Sequence, residues 1–487
     1  MIQYVSTKGT APPVSFDQAV LEGFAPDGGL YVPKRIPKIP VSTLKNWKGL
    51  DYPALAFEIL SLFIHDTVIP RDDLKRLIDK SFEPFEHPEL MPLVPLVSDE
   101  NSGHTIYSME LFHGPTQSFK DIAMGFLMNT VDYLLERRNS RLSIILATTG
   151  DTGPAAAFAA KGKSCIDCWP LYPEGMISRE QERQMTTLAA PNIHPVSVRN
   201  CPDGGDDLDL VVAKMFATPG QKEALNLSSV NSINWCRVMA QSVHYVYGYL
   251  KVCDTVGDPV HFCVPSGAFG NMFAGFLARE MGAPISCFIC ANNTNQTLHQ
   301  VFSTGVFKKE DLCPTLSSAI DIVVPYNFWR FLYFIGGEDG KKLAGWMTDF
   351  ETQGEVRFDR QMHARIRQGY TSCSVSDKLT LETIRHFWNH QGYLLDPHGA
   401  VAVAAALETA REGGIDSGAG QPLVCLTTAH PAKFPDVIKK ALNAENGLPR
   451  AACHDTIEQA RRLDESFQRC DISELERFLI RDIENHL

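Results

Sequence analysis

Apolar residues recur along this chain with two different periods. Over the first hundred or so residues the period is helical: Leu55, Ile59, Leu60 and Phe63 share one face, and Leu74, Leu77 and Ile78 repeat the pattern after Pro70. Ser15-Phe16-Asp17-Gln18 has capping-box spacing for a helix that runs through Leu21 and ends near Gly23. Ala25 to Pro33 is turn-rich. The region is therefore expected to be a mostly helical packing module.

After Pro92 and Pro95 the pattern changes to short β-rich runs, each followed by a glycine turn and a helix. Strands are expected at Leu142 to Ala147, Ile166 to Leu171, His261 to Val264, Ile285 to Ile289, Ile320 to Val324 and Leu423 to Thr427. Helices are expected from Pro154 to Lys161 and from Met272 to Met281. Such alternation predicts a parallel α/β sheet covered on both faces. From about Asn446 the chain is charged, with helical spacing in Ile457, Ala460 and Leu463 and again in Leu475, Phe478 and Leu479; this tail is expected to pack on the outside. There is no internal repeat and no low-complexity tract.

At 487 residues the chain is long enough for two or three domains with sizeable cores. No apolar run reaches the roughly 18 to 20 residues that span a membrane. Met1 to Ser6 lack the features of a secretory signal, so a cytoplasmic location is expected. The 57 acidic residues exceed the 45 Lys and Arg, giving a net charge of −12, which disfavours nucleic acid and requires a local basic site for any anionic substrate. The 13 scattered cysteines fit reduced thiols. Cys165 with Cys168, and Cys287 with Cys290, read either as one composite zinc site or, preferably, as small core residues in two strands. No metal is expected.

The candidate chemistry centres on His113-Gly114-Pro115-Thr116-Gln117-Ser118-Phe119-Lys120-Asp121, a Gly-Pro turn opening into a helix. A lysine held in a semi-buried pocket has a lowered amine pKa and can bond an aldehyde cofactor, although most lysines are simply solvated. Ser266-Gly267-Ala268-Phe269-Gly270-Asn271 follows a strand and precedes a helix. Its backbone N–H groups suit a phosphate monoester, unless the loop is only a tight connection. It is not a Walker A loop, because no Lys-Ser/Thr follows the last glycine. Thr148-Thr149-Gly150-Asp151-Thr152 adds hydroxyls to its backbone donors and suits a carboxylate, the alternative being an ordinary helix cap at Asp151 or Thr152.

Ser229 to Arg237 interleaves amides, including Asn234, with one arginine able to grip a second phosphate; a solvated loop is the competing explanation. Asp396-Pro397-His398 and Thr427 to Phe434 set polar groups beside buried elements, where histidines are as often core residues as catalysts. His65 and His299 read as structural or surface. An amine for an aldehyde, a phosphate cradle, a carboxylate clamp and a hydroxyl for a ring nitrogen together specify pyridoxal phosphate.

This ordered set resembles the threonine synthase family, from Tyr4 to about Pro435. The resemblance rests on Ala25-Pro26-Asp27-Gly28-Gly29-Leu30-Tyr31-Val32-Pro33, His113-Gly114-Pro115-Thr116, Ser118-Phe119-Lys120-Asp121, Gly150-Asp151-Thr152-Gly153, Ser232-Ile233-Asn234-Trp235, Asp396-Pro397-His398 and Thr428-Ala429-His430-Pro431-Ala432-Lys433-Phe434. It looks strongest toward the animal threonine synthase-like 2 branch, within the tryptophan synthase β group. The resemblance implies a fold type II pyridoxal phosphate enzyme with an added N-terminal module. The implied limits are residues 1–95 for the module, 96–145 with 236–445 for a large cofactor domain, 146–235 for a small domain, and 446–487 for a helical tail.

It further implies cofactor attachment at Lys120, a phosphate cup at Gly267, Ala268, Phe269, Gly270 and Asn271, and Asp151 near the phenolic oxygen. Thr428 is implied to face the pyridine nitrogen. The substrate is implied to meet Thr148, Thr149, Gly150, Asp151 and Thr152, with Asn234 and Arg237 as further contacts. Two departures stand out: the family commonly has asparagine where this chain has Ala268, and reads Asp-Pro-His-Thr-Ala-Val-Gly where this chain has Gly399 and Ala402. Lost amide and hydroxyl groups weaken the case for a positioned water. The expected activity is therefore a phospho-lyase acting on O-phosphohomoserine and O-phosphothreonine, with 2-oxobutanoate, ammonia and phosphate as products. Threonine synthase, a serine/threonine dehydratase and a non-catalytic pyridoxal phosphate-binding protein are the alternatives. A monomer is expected by analogy.

Overall fold

The computed structural model describes residues 2–96, 105–415, 421–444 and 447–487. Met1 and the expected tail boundary at 445/446 lie outside the described residues. Two sheets, one mostly and one wholly parallel, carry the architecture. The larger is six-stranded, in the spatial order Tyr370–Ser374, Ile285–Asn292, Val260–Pro265, Leu423–Thr427, Ile106–Glu110 and Leu93–Leu96. All its neighbours are parallel except Leu93–Leu96, which closes one edge antiparallel. The smaller is five-stranded and wholly parallel, in the order Gln468–Asp471, Val196–Arg199, Ile166–Pro173, Leu142–Ala147 and Leu227–Ser228.

Strands such as Val260–Pro265 and Ile166–Pro173 are buried along their whole length, as continuous apolar runs covered on both faces must be. The helix Trp235–Val252 is buried nearly all round, and it packs against the helices Lys120–Arg138 and Gly270–Met281. Those two helices begin with the principal candidate site loops, so the central helix fixes both from behind.

The N-terminal region forms a two-stranded antiparallel pair, Tyr4–Ser6 with Tyr31–Pro33, and four helices. Its first helix, Phe16–Glu22, is preceded by Ser15, whose side chain makes no capping bond, so the expected capping box is absent; Gly23 ends the helix at a φ of 72°. The buried Tyr4 hydroxyl donates to Phe63 O at 3.1 Å, and its ring lies 5.8 Å from that of Trp235. The buried Arg330 guanidinium donates to Tyr31 O at 3.1 Å and to Ser232 O at 3.1 Å. Burial pushes its pKa down to about 9. The module is thereby tied to the loop before the central helix.

Two further expectations are corrected. Ile320 to Val324 is no strand: a short 3-10 turn, Ser318–Ile320, leads into a loop. There the Asp321 carboxylate accepts from Asn293, Asn295 and Thr315, and these fixed partners override the β propensity of its isoleucines and valines. Nor does the tail merely cover the outside. Gln468–Asp471 adds a parallel edge strand beside Val196–Arg199, and the helix Leu475–Glu484 buries Leu475, Leu479 and Ile483 against the small sheet.

Candidate active site

Lys120 opens its helix on the far side of a turn laced to a late strand. The Asp121 carboxylate accepts from Thr116 N at 2.9 Å and Thr116 Oγ1 at 2.6 Å. Gly114 is dictated by this closure, because a Cβ there would lie 2.6 Å from Asp121 Oδ2. Phe119 N donates to Thr428 O at 2.9 Å, and His430 N donates to Gln117 O at 3.1 Å. Lys120 Nζ rests 4.5 Å from the centroid of the Phe119 ring. Desolvation drives the Lys120 pKa down, opposed by Asp151 and aided by Arg237 and Lys433, to about 8. A substantial fraction of the amine is therefore neutral near physiological pH, as an attacking amine must be.

The turn after Leu142–Ala147 folds around one hydroxyl. Thr148 Oγ1 accepts from Gly150 N at 3.1 Å and Gly153 N at 2.9 Å, so it, and not Asp151, caps the following helix, Thr152–Ala160. Asp151 is held by Lys433 Nζ at 2.8 Å and Gln181 Nε2 at 2.9 Å, all three residues being buried. Burial raises its carboxyl pKa, but neighbouring cations, Lys433 foremost, outweigh that and hold it at about 2. Gly150 has a φ of 123°, and the Gln181 amide fills the place of a Cβ.

At the third loop, Phe269 takes the left-handed conformation at φ 63° just before the helix Gly270–Met281. Asn271 Oδ1 accepts from His244 Nε2 and Tyr245 Oη, both at 2.9 Å. Its Nδ2, the Ser266 hydroxyl, the Gln241 carbonyl oxygen and Arg237 Nε are buried without a protein hydrogen-bond partner. Groups of this kind call for an external polar ligand.

These loops line one cavity of about 470 Å³. Of the expected site residues, Lys120, Thr148, Thr149, Asp151, Thr152, Arg237, Gly267 through Asn271 and Thr428 line it; Gly150 and Asn234 do not. The Asn234 expectation is corrected. Its side chain caps the central helix at Cys236 N and donates to Val20 O at 2.8 Å, which leaves it a structural tie between module and core. Arg237 is buried, donates to Val230 O at 2.8 Å, and is pushed down to about 10 by desolvation.

Several cavity residues were given no site role in the sequence reading. Phe24, Gly28 and Leu30 reach it from the N-terminal region, which is therefore more than packing. His398 lines it with a fixed tautomer: Nε2 accepts from Ala319 N at 3.1 Å, so Nδ1 carries the proton given to Asp396 at 2.8 Å. Asp206 and Asp209 form an acidic wall. Burial, opposed by Lys309, takes Asp206 up to about 6, and burial reinforced by Asp206 takes Asp209 up to about 7. Lys433 lay inside a motif that was read, but nothing local announces its carboxylate partner. The composite zinc reading fails because Cys168 lies in the small sheet and Cys287 and Cys290 in the large one.

Two α/β units, a lysine at the head of a helix and a glycine-rich anion loop define a fold type II pyridoxal phosphate enzyme, and the unpartnered donors at Ser266 and Asn271 fit that cofactor's phosphate. Three family models match in series: threonine synthase N terminus over residues 3–82, pyridoxal-phosphate dependent enzyme over 86–333, and threonine synthase, C-terminal over 399–478. Threonine synthase of Pseudomonas aeruginosa is 38% identical over 443 residues, covering 90% of each chain. Threonine synthase-like 2 of Xenopus laevis is 39% identical over 442 residues, again covering 90% of each. The pyridoxal phosphate-bound threonine synthase of Brucella melitensis superposes with a TM-score of 0.87 at 35% identity, covering 99% of each chain. The chain belongs to the threonine synthase family. Among the described residues, no helix is long and apolar enough to cross a membrane.

Proposed function

We propose that the protein is a cytoplasmic phospho-lyase that eliminates phosphate from O-phosphohomoserine and O-phosphothreonine to give 2-oxobutanoate, ammonia and phosphate. The observation that carries this reading is Arg237: a buried cation facing the cavity with a backbone carbonyl as its protein partner, suited to a substrate phosphate. When bound, pyridoxal phosphate supplies an aldehyde that takes up amines and a ring that draws electrons from the adjacent carbon.

Lys120 Nζ then serves as the base that removes the Cα proton, and its lowered pKa suits a base working near neutrality. For a γ-phosphate a second proton leaves Cβ before phosphate departs; for a β-phosphate it does not. Thr428 lines the cavity, and its hydroxyl would hold the ring nitrogen as a neutral partner, which would leave that nitrogen largely unprotonated. Thr148, Thr149 and Thr152 line the cavity and would take the substrate carboxylate, with Asp151 held in place by Lys433.

A synthase must next deliver water to Cβ. Ala268 and Gly399 offer neither the amide nor the hydroxyl of the common family pattern, which favours release of the enamine. Hydrolysis of that enamine consumes one water and yields ammonia. Incubation with each phosphorylated amino acid, with threonine, 2-oxobutanoate and phosphate read in parallel, tests the proposal. Equimolar 2-oxobutanoate and phosphate is the expected result. Threonine as the main product assigns a synthase; equal turnover of unphosphorylated serine or threonine assigns a dehydratase; cofactor retention without turnover assigns a binding protein.

A further inference from the structure

Outside the cavity lining, the last helix of the chain meets the small sheet through a group of polar side chains that the reaction does not use. His194 precedes the strand Val196–Arg199, while Asp482 lies in the helix Leu475–Glu484 with His486 four residues beyond it. One ligand atom from each of His194, Asp482 and His486 can be chosen so that all lie within 4.8 Å of one another. We propose that these three side chains form a binding site for a divalent transition-metal ion, zinc being the fitting species, which clasps the carboxy-terminal helix to the small sheet.

Each ligand is already oriented by a neighbour. The Trp169 indole donates to Asp482 Oδ2 at 2.8 Å, which holds the carboxylate. The Nδ1 proton of His486 goes to the backbone oxygen of Asp482 at 2.8 Å, so its Nε2 keeps a lone pair. The His194 ring is stacked on Trp169, with centroids 4.5 Å apart, and lies 4.2 Å from the ring of His486. Its Nε2 is buried and makes no protein hydrogen bond. Asp167 Oδ1 stands 3.6 Å away, too far for a hydrogen bond, and Asp167 is itself held by Arg141 at 2.7 Å.

Two imidazoles in ring contact beside a carboxylate gain little from one another, whereas a shared cation satisfies all three. Two nitrogens and one oxygen suit a borderline ion such as zinc better than calcium or magnesium, which prefer oxygen alone. Tetrahedral zinc needs donors about 3.3 Å apart, so the set closes with side-chain shifts of about an ångström, and a water can complete the shell. Since an ion held only by the docked helix stabilises that arrangement, binding raises the resistance of the fold to heat.

The test uses full-length, cofactor-loaded protein stripped of metal and titrated with zinc, followed by calorimetry and thermal unfolding. One equivalent bound with a rise in Tm is expected. His486 is exposed, so His486→Ala leaves the fold standing; it should weaken zinc binding at least about 10-fold and abolish the rise in Tm. Asp482→Asn should weaken binding similarly. Zinc held instead by one of the free thiols would bind His486→Ala as tightly as the parent, which would overturn the proposal, as would absence of stoichiometric binding in the parent.

Discussion

Lys433 Nζ and Asp151 Oδ1 form a buried ion pair at 2.8 Å, where the loop of the small sheet meets the chain beyond Leu423–Thr427 of the large one. Lys433 also donates to Thr116 O at 2.9 Å, so a single ammonium ties the Lys120 turn, the Asp151 loop and the late strand together. Lys433→Met leaves Asp151 buried without its cation, and loss of one partner from such a pair costs about 3–5 kcal/mol. Urea denaturation should show a loss of this size, and the double variant Lys433→Met with Asp151→Asn should lose less than the sum of the two single changes. The pH sign follows from the carboxylate. Its folded pKa of about 2 lies below its ordinary value of 3.8, so the contact's stabilisation is complete above the ordinary value and disappears as pH falls through about 2.

Lys120 titrates in the opposite sense. Its amine must be neutral to attack an aldehyde, and desolvation brings its pKa to about 8. Uptake of pyridoxal phosphate by cofactor-free protein, followed by visible absorbance, should accelerate about tenfold per pH unit below that value and level off above it. Asp151 favours the protonated amine, so Asp151→Asn should move the midpoint to lower pH. Lys120→Ala should cut turnover by at least about 10³-fold while leaving the unfolding midpoint near that of the parent. An unchanged rate in Lys120→Ala would remove the lysine from the mechanism.

What the sequence disclosed follows from how local each signal is. Leu142–Ala147 and Leu423–Thr427 coincide with their apolar runs because both strands are buried and end in sharp turns. The three loops lining the cavity could be read because glycine and hydroxyl residues announce backbone geometry. Gln468–Asp471 could not: an edge strand with one buried side chain, Cys470, has no apolar period to show. Ile320 to Val324 misled for the converse reason, since side chains distant in sequence hold it as a loop. Asn234 looked like a ligand because an amide in a polar loop carries no sign of whether it faces a cavity or caps a helix.

Arg237 separates the readings of function by kinetics. A charge-assisted bond to a phosphate contributes about 1.5–3 kcal/mol, so Arg237→Met should lower kcat/KM for O-phosphothreonine by about 10- to 100-fold. Any residual elimination from unphosphorylated threonine should be unaffected. An equal loss on both substrates would assign Arg237 to the cofactor or to packing, and the phosphate reading would fail.

Gly399 is tested by restoring the threonine of the common family pattern. A Cβ at this position lies 2.7 Å from Asp396 Oδ2 and 2.8 Å from Thr427 Cγ2, so the space a side chain would take is already filled. Gly399→Thr should therefore overpack the start of the helix Pro397–Arg411, lowering stability by about 1–3 kcal/mol in a denaturant titration. Thr427→Ser removes the obstructing methyl and retains the hydroxyl, which donates to Met109 O at 2.9 Å; it should recover part of the loss. Asp396 is also the partner that fixes the His398 tautomer, so the single variant should disturb the Ala319 contact and slow turnover. If the paired variant is stable and still releases 2-oxobutanoate without threonine, a hydroxyl at 399 is insufficient to deliver water, and the lyase outcome rests on the rest of the cavity.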